Sequence, residues 1–320
     1  WVYFPWRETL LHLLEDAAFQ RVRTARNQNL IPRAEQERYY DSTVGIAGLS
    51  VGNSCALALV LMGGGKRLRL ADPDTLELTN LNRIRASITD LTLPKAFMTA
   101  QQVYELDPYA DLTLYPEGLT EKNIQKFFDG PPRLGVVVDE LANLAIKYRI
   151  REEAKKRRIP VLMATDNGAS GLVDIERHDL DPGIQPFHGR GGPERRQRVM
   201  PGPRPPLPVI GRLIGEQFVG WDITEPRMLA SLLEIGKTIP TWPQLGGAAL
   251  VNGVLVAVAI RKMLTGQAVT DRRGVLSVSE ALIPGYTEPG AAAQRQKGVE
   301  EFLRQSDAAI EEALRGPGTP

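Results

Sequence analysis

A run of acidic, amide and basic side chains between residues 72 and 95 has the chemistry to hold a nucleotide. Its polar members are Asp72, Asp74, Asn80, Asn82, Arg83 and Lys95. A guanidinium and an ammonium that converge on phosphate oxygens neutralise their charge and donate charge-assisted hydrogen bonds to them. Arg83 and Lys95 could supply that chemistry, whereas an isolated pair of the same residues would ordinarily be a pair of surface charges.

A turn of small residues upstream could bring phosphates close to the backbone. Gly48, Ser50 and Gly52 lie where an apolar run passes into a helical pattern, and the N–H groups of a helix N-terminus favour anions. Ser50 and Asn53 stand where a G-x-G-x-x-G pattern would have its second and third glycines. Asp72 follows Gly48 by 24 residues, near the offset of about 20 at which an acid contacts ribose hydroxyls. A plain strand–helix turn explains the glycines equally well.

The elements that must position these residues read as an α/β fold. Short apolar runs alternate with helix-length segments, which predicts a Rossmann-like, mostly parallel sheet with helices on both faces. The predicted strands are Thr43–Ala47, Arg67–Ala71, Asp111–Tyr115, Gly135–Asp139, Pro160–Ala164 and Leu172–Glu176. The predicted helices are Gly52–Met62, Pro94–Leu106, Glu121–Phe128, Asn143–Arg158, Glu225–Ile235 and Ala248–Met263.

Three regions are expected along the chain. Residues 1–42 form an N-terminal helical extension with an amphipathic helix after Pro5. Residues 43–287 form the nucleotide-binding domain, and 288–320 form a C-terminal tail whose Gly/Pro end resembles a linker or free terminus. Within the domain, 183–208 is rich in Gly, Pro and Arg, which excludes regular structure. It is either a flexible lid over an anionic site or an inert solvated loop.

Composition narrows the class of protein. The 320 residues carry a formal charge of +1, which gives no reason to expect nucleic acid as a partner. The single cysteine excludes an internal disulfide and a paired-cysteine zinc site, and favours a reducing, cytoplasmic setting. The apolar stretch from Ala248 to Ile260 is shorter than a bilayer span requires, so we expect no membrane association.

The whole pattern resembles a known superfamily. Asp-x-Asp, a spacer, Asn-Leu-x-Arg and a later Lys, all downstream of a Gly-rich turn, closely resemble the ThiF/MoeB, or ubiquitin-activating-enzyme, superfamily. The resemblance runs from about 43 to 181 and returns at 239–266. It implies that the counterpart of Asp72 holds the ribose of ATP, and that the counterparts of Asn80, Arg83 and Lys95 surround the triphosphate. The further nucleotide contacts it implies are Gly48, Ser50, Gly52, Asp74 and Asn82.

The activity implied is ATP-dependent adenylation of a carboxylate with release of pyrophosphate. The acid would be a small acid or the C-terminus of a ubiquitin-like protein or precursor peptide, and superfamily members are commonly homodimers. A narrower resemblance, over residues 1–7, 48–52, 74–83, 160–163 and 174–188, points to MoeY-like ThiF proteins that carry a nitroreductase-like domain. That domain would here be a partner or a fused segment.

Two departures from the superfamily pattern set up an alternative. Members usually place a metal-binding Asp where this chain has Ala142, so Mg²⁺ would rest on Asp139 and Glu140, with Asp139 counted also as catalytic. The only cysteine, Cys55, reads as a buried structural residue rather than a thiol relay. The alternative is a catalytically reduced, nucleotide-binding scaffold in a biosynthetic complex. An NAD-dependent dehydrogenase explains Asp72 but gives Asn80, Arg83 and Lys95 no role.

Overall fold

A seven-stranded sheet forms the centre of the protein. In this computed structural model, residues 1–190 and 207–315 are described. Two short strands, β1 and β2, form a separate hairpin, and β3 to β9 form the sheet in the spatial order β5-β4-β3-β6-β7-β8-β9. The strands are β1 Val2–Phe4, β2 Thr9–Leu11, β3 Thr43–Ala47, β4 Arg67–Ala71, β5 Asp111–Tyr115, β6 Val136–Asp139, β7 Val161–Asn167, β8 Ser170–Glu176 and β9 Arg272–Leu276.

The strand order places the predicted site at one edge. The first five strands in that order, from β5 to β7, pair in parallel. Strand β8 pairs antiparallel with β7, and β9 pairs antiparallel with β8. The chain moves outward from β3 to β5 and then returns to pair β6 with β3, so the order reverses between β3 and β6. Ligands of open α/β sheets bind outside the carboxyl ends of strands at such a reversal. The Rossmann-like, mostly parallel prediction is confirmed.

Helices cover both faces of the sheet. They are α1 Asp16–Arg23, α2 Arg33–Tyr40, α3 Val51–Leu61, α4 Lys95–Leu106, α5 Ile124–Asp129, α6 Leu144–Arg157, α7 Leu207–Ile214, α8 Pro226–Leu232, α9 Gly246–Leu264, α10 Val278–Leu282 and α11 Pro289–Arg315. Central strands covered on both faces read as continuous apolar runs, which is why β3 and β6 were predictable from the sequence.

Helix α9 packs closely on α3. A β-carbon added at Gly253 would lie 2.5 Å from the Ser54 β-carbon, so only glycine permits this approach. Helix α9 has 19 residues, whereas the apolar stretch in the sequence has 13. The argument that this segment is too short to span a bilayer is therefore wrong. Among the described residues α9 is the helix whose length and composition would suit a membrane span, and 44% of its most apolar window is buried inside the protein.

The N-terminal region differs from its prediction. After Pro5 the chain makes a single 3-10 turn, reverses through Glu8 at φ 49°, and returns as β2, with Tyr3 opposite Leu10. The expected amphipathic helix is wrong there, because apolar residues at 10 and 11 serve a strand pairing that helical periodicity does not detect. The helical part of the extension comes later, in α1 and α2.

The C-terminal region also holds elements that the sequence did not predict. Strand β9 extends the sheet beyond β8, and α11 is a long helix whose Val299 and Phe302 pack with Trp221 and Leu229. In the predicted irregular segment 183–208, residues 186–189 form a 3-10 turn and α7 begins at Leu207. The flexible-loop prediction for 191–206, and the linker prediction for 316–320, fall outside the described residues.

Candidate nucleotide site

The glycine turn between β3 and α3 is built for close backbone contact. Gly48 has φ +89°, and a β-carbon there would lie 2.4 Å from the Glu140 carbonyl oxygen, so glycine is required on both counts. The side chain of Asn53 turns away from the phosphate position, because its amide donates to Thr99 Oγ1 at 3.0 Å and Gln102 Oε1 at 2.8 Å on α4. Replacing the third glycine by Asn53 therefore does not fill the turn.

Asp72 holds the turn together from the end of β4. Its Oδ2 accepts the Leu49 N–H at 2.6 Å and its Oδ1 accepts the Asp74 N–H at 2.9 Å. Burial raises the pKa of this carboxyl, while the positive charge of Lys95 and the two N–H donors oppose that rise. Asp72 thus lies where the prediction places it, with its oxygens already engaged by backbone and only their remaining lone pairs open to a ribose.

The 3-10 turn Leu78–Asn82 is followed directly by Arg83, whose guanidinium lies against the glycine turn. The Asn80 side chain is buried and caps the turn by accepting the Glu77 N–H at 3.1 Å. Arg83 Nε donates to Ser50 Oγ at 3.1 Å, and its Nη1 donates to Asn82 Oδ1 at 2.9 Å. Within residues 1–190 and 207–315 no carboxylate lies within ion-pair distance of Arg83, and burial lowers its pKa.

Lys95 opens helix α4 next to the acidic turn. Its ammonium lies 2.9 Å from Asp74 Oδ2, and only 6% of the residue is exposed. Asp74 itself is mostly exposed, so the pair is open to solvent on the acid's side. A ligand phosphate could replace Asp74 as the partner of Lys95 without leaving a buried acid unpaired.

Asp139 and Glu140, the predicted magnesium ligands, lie against the glycine turn but are engaged within the protein. Arg151 Nη1 lies 2.5 Å from Asp139 Oδ2, and Lys147 Nζ lies 3.2 Å from Asp139 Oδ1. Glu140 Oε1 accepts the Ala164 N–H at 2.8 Å. Burial raises the pKa of Glu140 well above its ordinary value, although Lys147 opposes the rise.

A divalent cation does not fit this arrangement. Mg²⁺ is held by ionised carboxylates at short distance, whereas here Asp139 has an ion-pair partner on each oxygen, and Glu140 accepts a backbone hydrogen bond while burial raises its pKa. Among the described residues no group of three His, Cys, Asp or Glu side chains could hold a metal ion. Magnesium binding by Asp139 and Glu140 stays a prediction, which these contacts disfavour.

Arg151 joins this edge of the sheet to strand β8. Its Nε lies 2.7 Å from Glu176 Oε1, and the charge of Arg151, acting against burial, lowers the pKa of Glu176 to about 2. Glu176 also accepts the Phe187 N–H at 2.9 Å and faces the buried His178 at 3.1 Å. We call Asp139, Lys147, Arg151 and Glu176 the buried charge cluster. Apart from Asp139 its members were not predicted from the sequence, because they come from α6 and β8 and no local spacing joins them to β6.

A second group missed by the sequence prediction braces Arg83. Asn82 Nδ2 donates to the Gln244 carbonyl at 2.9 Å, and the Gln244 side chain donates to Asp166 Oδ2 at 2.9 Å. Asn252 on α9 donates to the other oxygen of Asp166 at 2.6 Å. The segment before α9 is thereby tied to Asn82 and Arg83.

The cysteine and two of the histidines are held by contacts within the protein. Cys55 is fully buried in α3 and burial raises its thiol pKa, which confirms the buried reading. His178 is fully buried beside Glu176. His188 lies 2.8 Å from Asp174 and 3.3 Å from Asp271, and the Asp174 contact raises its pKa.

Taken together, the fold and the site define a Rossmann-like α/β protein, with the glycine turn, Asp72, Arg83 and Lys95 at the carboxyl edge of its sheet. The sequence model of the ThiF family matches residues 24–199. The chain therefore belongs to the ThiF family.

Individual relatives agree with this family. The uncharacterized protein MT1398 of Mycobacterium tuberculosis is 37% identical over 283 residues, which are 88% of this chain and 38% of that protein. A tRNA threonylcarbamoyladenosine dehydratase of Bacillus subtilis is 28% identical over 49% of this chain and 64% of its own length. The sulfur carrier protein ThiS adenylyltransferase of Escherichia coli is 32% identical over 44% of this chain and 55% of its own length. The chain spans less than two thirds of each.

Solved structures share the fold. PaaA superimposes with a TM-score of 0.59 at 18% identity, covering 85% of this chain and 83% of its own. Escherichia coli MccB, solved with AMPCPP and MccA, gives a TM-score of 0.50 at 15% identity, covering 80% of this chain and 70% of its own. At such identities the likeness establishes the fold alone.

Proposed function

We propose that the chain binds ATP and activates a carboxylate as an acyl-adenylate. A carboxylate oxygen attacks the α-phosphorus, the bond to the β-phosphate oxygen breaks, and pyrophosphate leaves. The observation that carries the proposal is the contact between Arg83 and Ser50, because it holds at the turn where phosphates would lie a guanidinium that has no acid within ion-pair distance among the described residues. A relative named as an adenylyltransferase supports it.

Four of the predicted residues have a role in the proposed reaction. Arg83 and Lys95 neutralise phosphate charge as pyrophosphate departs. Asp72 accepts a hydrogen bond from the ribose in addition to those from the backbone. Asn80 shapes the 3-10 turn that carries Arg83, so its contribution is to orient the guanidinium.

The acid we propose is the C-terminus of a small protein or precursor peptide, with a small free acid as the next candidate. Support comes from the relative named for a sulfur carrier protein and from MccB, which was solved together with MccA. Another relative is named for a tRNA modification, so tRNA belongs in the same assay as a separate arm.

Exchange of labelled pyrophosphate into ATP, measured with each candidate acid, tests the activity. We expect exchange that requires the cognate acid and falls by about 100-fold or more in Arg83→Ala and Lys95→Ala, since each removes a charge that stabilises the transition state. Arg33→Ala, which changes an exposed charge on α2, is the matched control. Exchange that survives both site substitutions would show that the roles are misassigned.

The second candidate is a nucleotide-binding scaffold without turnover. The engagement of both Asp139 oxygens by Arg151 and Lys147, together with Ala142 at an exposed position, favours it. Calorimetry combined with the exchange assay separates the two: ATP binding that Arg83→Ala weakens, with no exchange for any acid, supports the scaffold.

Assembly is also a proposal. Leu250 and Val254 are about half exposed on α9, and we propose that this face joins two copies in a homodimer. On the narrower sequence resemblance to MoeY-like ThiF proteins, we also propose a nitroreductase-like domain, fused or separate, as a partner. Sedimentation of the wild type and of Val254→Lys would test the homodimer, since a buried lysine at that face would favour monomers.

A further inference from the structure

The acids at the carboxyl edge of the sheet have their partners inside the protein. Asp139 has Arg151 on one oxygen and Lys147 on the other. Asp166 accepts one amide hydrogen bond on each oxygen, from Asn252 and Gln244. A metal ion at Asp139 would have to displace a buried ammonium or guanidinium, and an unpaired buried charge is strongly unfavourable.

Lys147 lies where its charge reaches the nucleotide turn. Its ammonium contacts the Asp139 carbonyl at 3.3 Å and Met163 Sδ at 3.3 Å as well as the Asp139 carboxylate, and its side chain is 9% exposed. The next residue, Glu140, donates its N–H to the Ala47 carbonyl at 2.7 Å, and its own carbonyl faces Gly48. One residue therefore separates the contacts of Lys147 from the glycine turn.

Resting on the nucleotide site proposed above, we propose that this site binds the nucleotide as the free anion, without a divalent cation. Lys147 and Arg151 supply from within the fold the positive charge that a metal ion would otherwise bring to Asp139. The charge that faces the phosphates comes from Arg83 and Lys95. Three of these four cations are at least nine-tenths buried, where screening by solvent and salt is weak.

Calorimetry of ATP binding to the wild-type chain is the first test. We expect dissociation constants in EDTA and in excess Mg²⁺ that agree within about twofold. Binding that is about tenfold or more tighter with Mg²⁺ would overturn the metal-free site while leaving the proposed nucleotide-binding function intact. No ATP binding in either buffer would overturn the proposed function and the metal-free site with it.

Metal alone gives a readout that does not depend on nucleotide. Electron paramagnetic resonance of free Mn²⁺ should be unchanged when the nucleotide-free wild-type chain is added. Loss of the free Mn²⁺ signal that Mg²⁺ reverses would overturn the proposal.

A pair of variants tests the role of Lys147. Lys147→Met keeps an unbranched side chain against Met163 and removes the charge, so ATP affinity in EDTA should fall by about tenfold and be partly restored by Mg²⁺. Lys147→Arg retains the charge and should bind ATP in EDTA as the wild type does. A Lys147→Met chain that melts as the wild type does and binds ATP equally in EDTA would remove Lys147 from the proposal. Should that variant not fold, the Mn²⁺ measurement on the wild type still decides the matter.

Discussion

Two Arg–Lys pairs lie near the carboxyl edge of the sheet, and their surroundings give them different roles. Arg151 and Lys147 share the fully buried Asp139, so they hold β6, α6 and β8 together and could act on a nucleotide only through their charge, without direct contact. In the described part of the chain, Arg83 has only neutral acceptors and Lys95 has the exposed Asp74. The same residue types therefore stabilise the fold where their acid is buried, and remain open to direct contact with a ligand where the acid is exposed or where no described acid lies within ion-pair distance.

The largest effect is expected on stability, when a cation of the buried charge cluster is removed. Arg151→Met leaves Asp139 and Glu176 buried with one partner fewer each, and should lower the free energy of unfolding by about 3–5 kcal/mol. Urea unfolding measures it. Arg33→Ala, in a pair that is exposed on both sides, should cost under about 0.5 kcal/mol, and an equal loss in both variants would contradict a special role for the cluster.

Acid should weaken the buried charge cluster next. The folded pKa of Glu176 is about 2, below its ordinary value of 4.5. Its stabilising contribution is therefore complete above the ordinary value and is lost as pH falls from there towards the folded pKa, amounting to about 3 kcal/mol. Unfolding curves across pH 2 to 4.5 should show this loss, and Glu176→Gln should show a shallower dependence over the same window. Parallel curves would exclude Glu176 as the source.

Substitutions in the other pair should spare stability and reduce binding. Arg83→Ala removes charge-assisted hydrogen bonds to a phosphate, which is worth about 2 kcal/mol of ATP binding energy. Its unfolding free energy should change by less than about 1 kcal/mol, because among the described residues no buried acid loses a direct ion-pair partner and Asp166 loses only the more distant charge of Arg83. A large stability loss with unchanged affinity would reverse the assignment of the two pairs.

The smallest effect is expected at Gln244, which connects Asn82, next to Arg83, to Asp166. Gln244→Ala leaves Arg83 in place but removes the side-chain donor to Asp166, and we expect ATP binding to weaken by about 1 kcal/mol. Gln244→Glu retains the length of the side chain but sets one carboxylate against another, so it should weaken binding more. Calorimetry on both variants orders them.

The sequence predicted the residues of the candidate nucleotide site far better than those of the buried charge cluster. Asp72, Arg83 and Lys95 lie within one stretch of the chain, and their spacing along it carries the pattern. Asp139, Arg151 and Glu176 lie on β6, α6 and β8, and β6 and β8 are separated by β7 in the sheet, so no local spacing predicts their contacts. The same physics explains the fold: buried parallel strands are continuous apolar runs, whereas β1, β2 and β9 are short, largely exposed strands without such a run.

The single cysteine provides a reporter that the site itself does not. Cys55 is buried in the first turns of α3, the helix whose N-terminus faces the glycine turn. A thiol reagent can reach it only when this helix opens, so the labelling rate measures the opening equilibrium of one defined position. A ligand bound at the turn would slow that rate by one plus the ratio of its free concentration to its dissociation constant. Thiol labelling could therefore screen unlabelled nucleotides and acids without any assay of turnover.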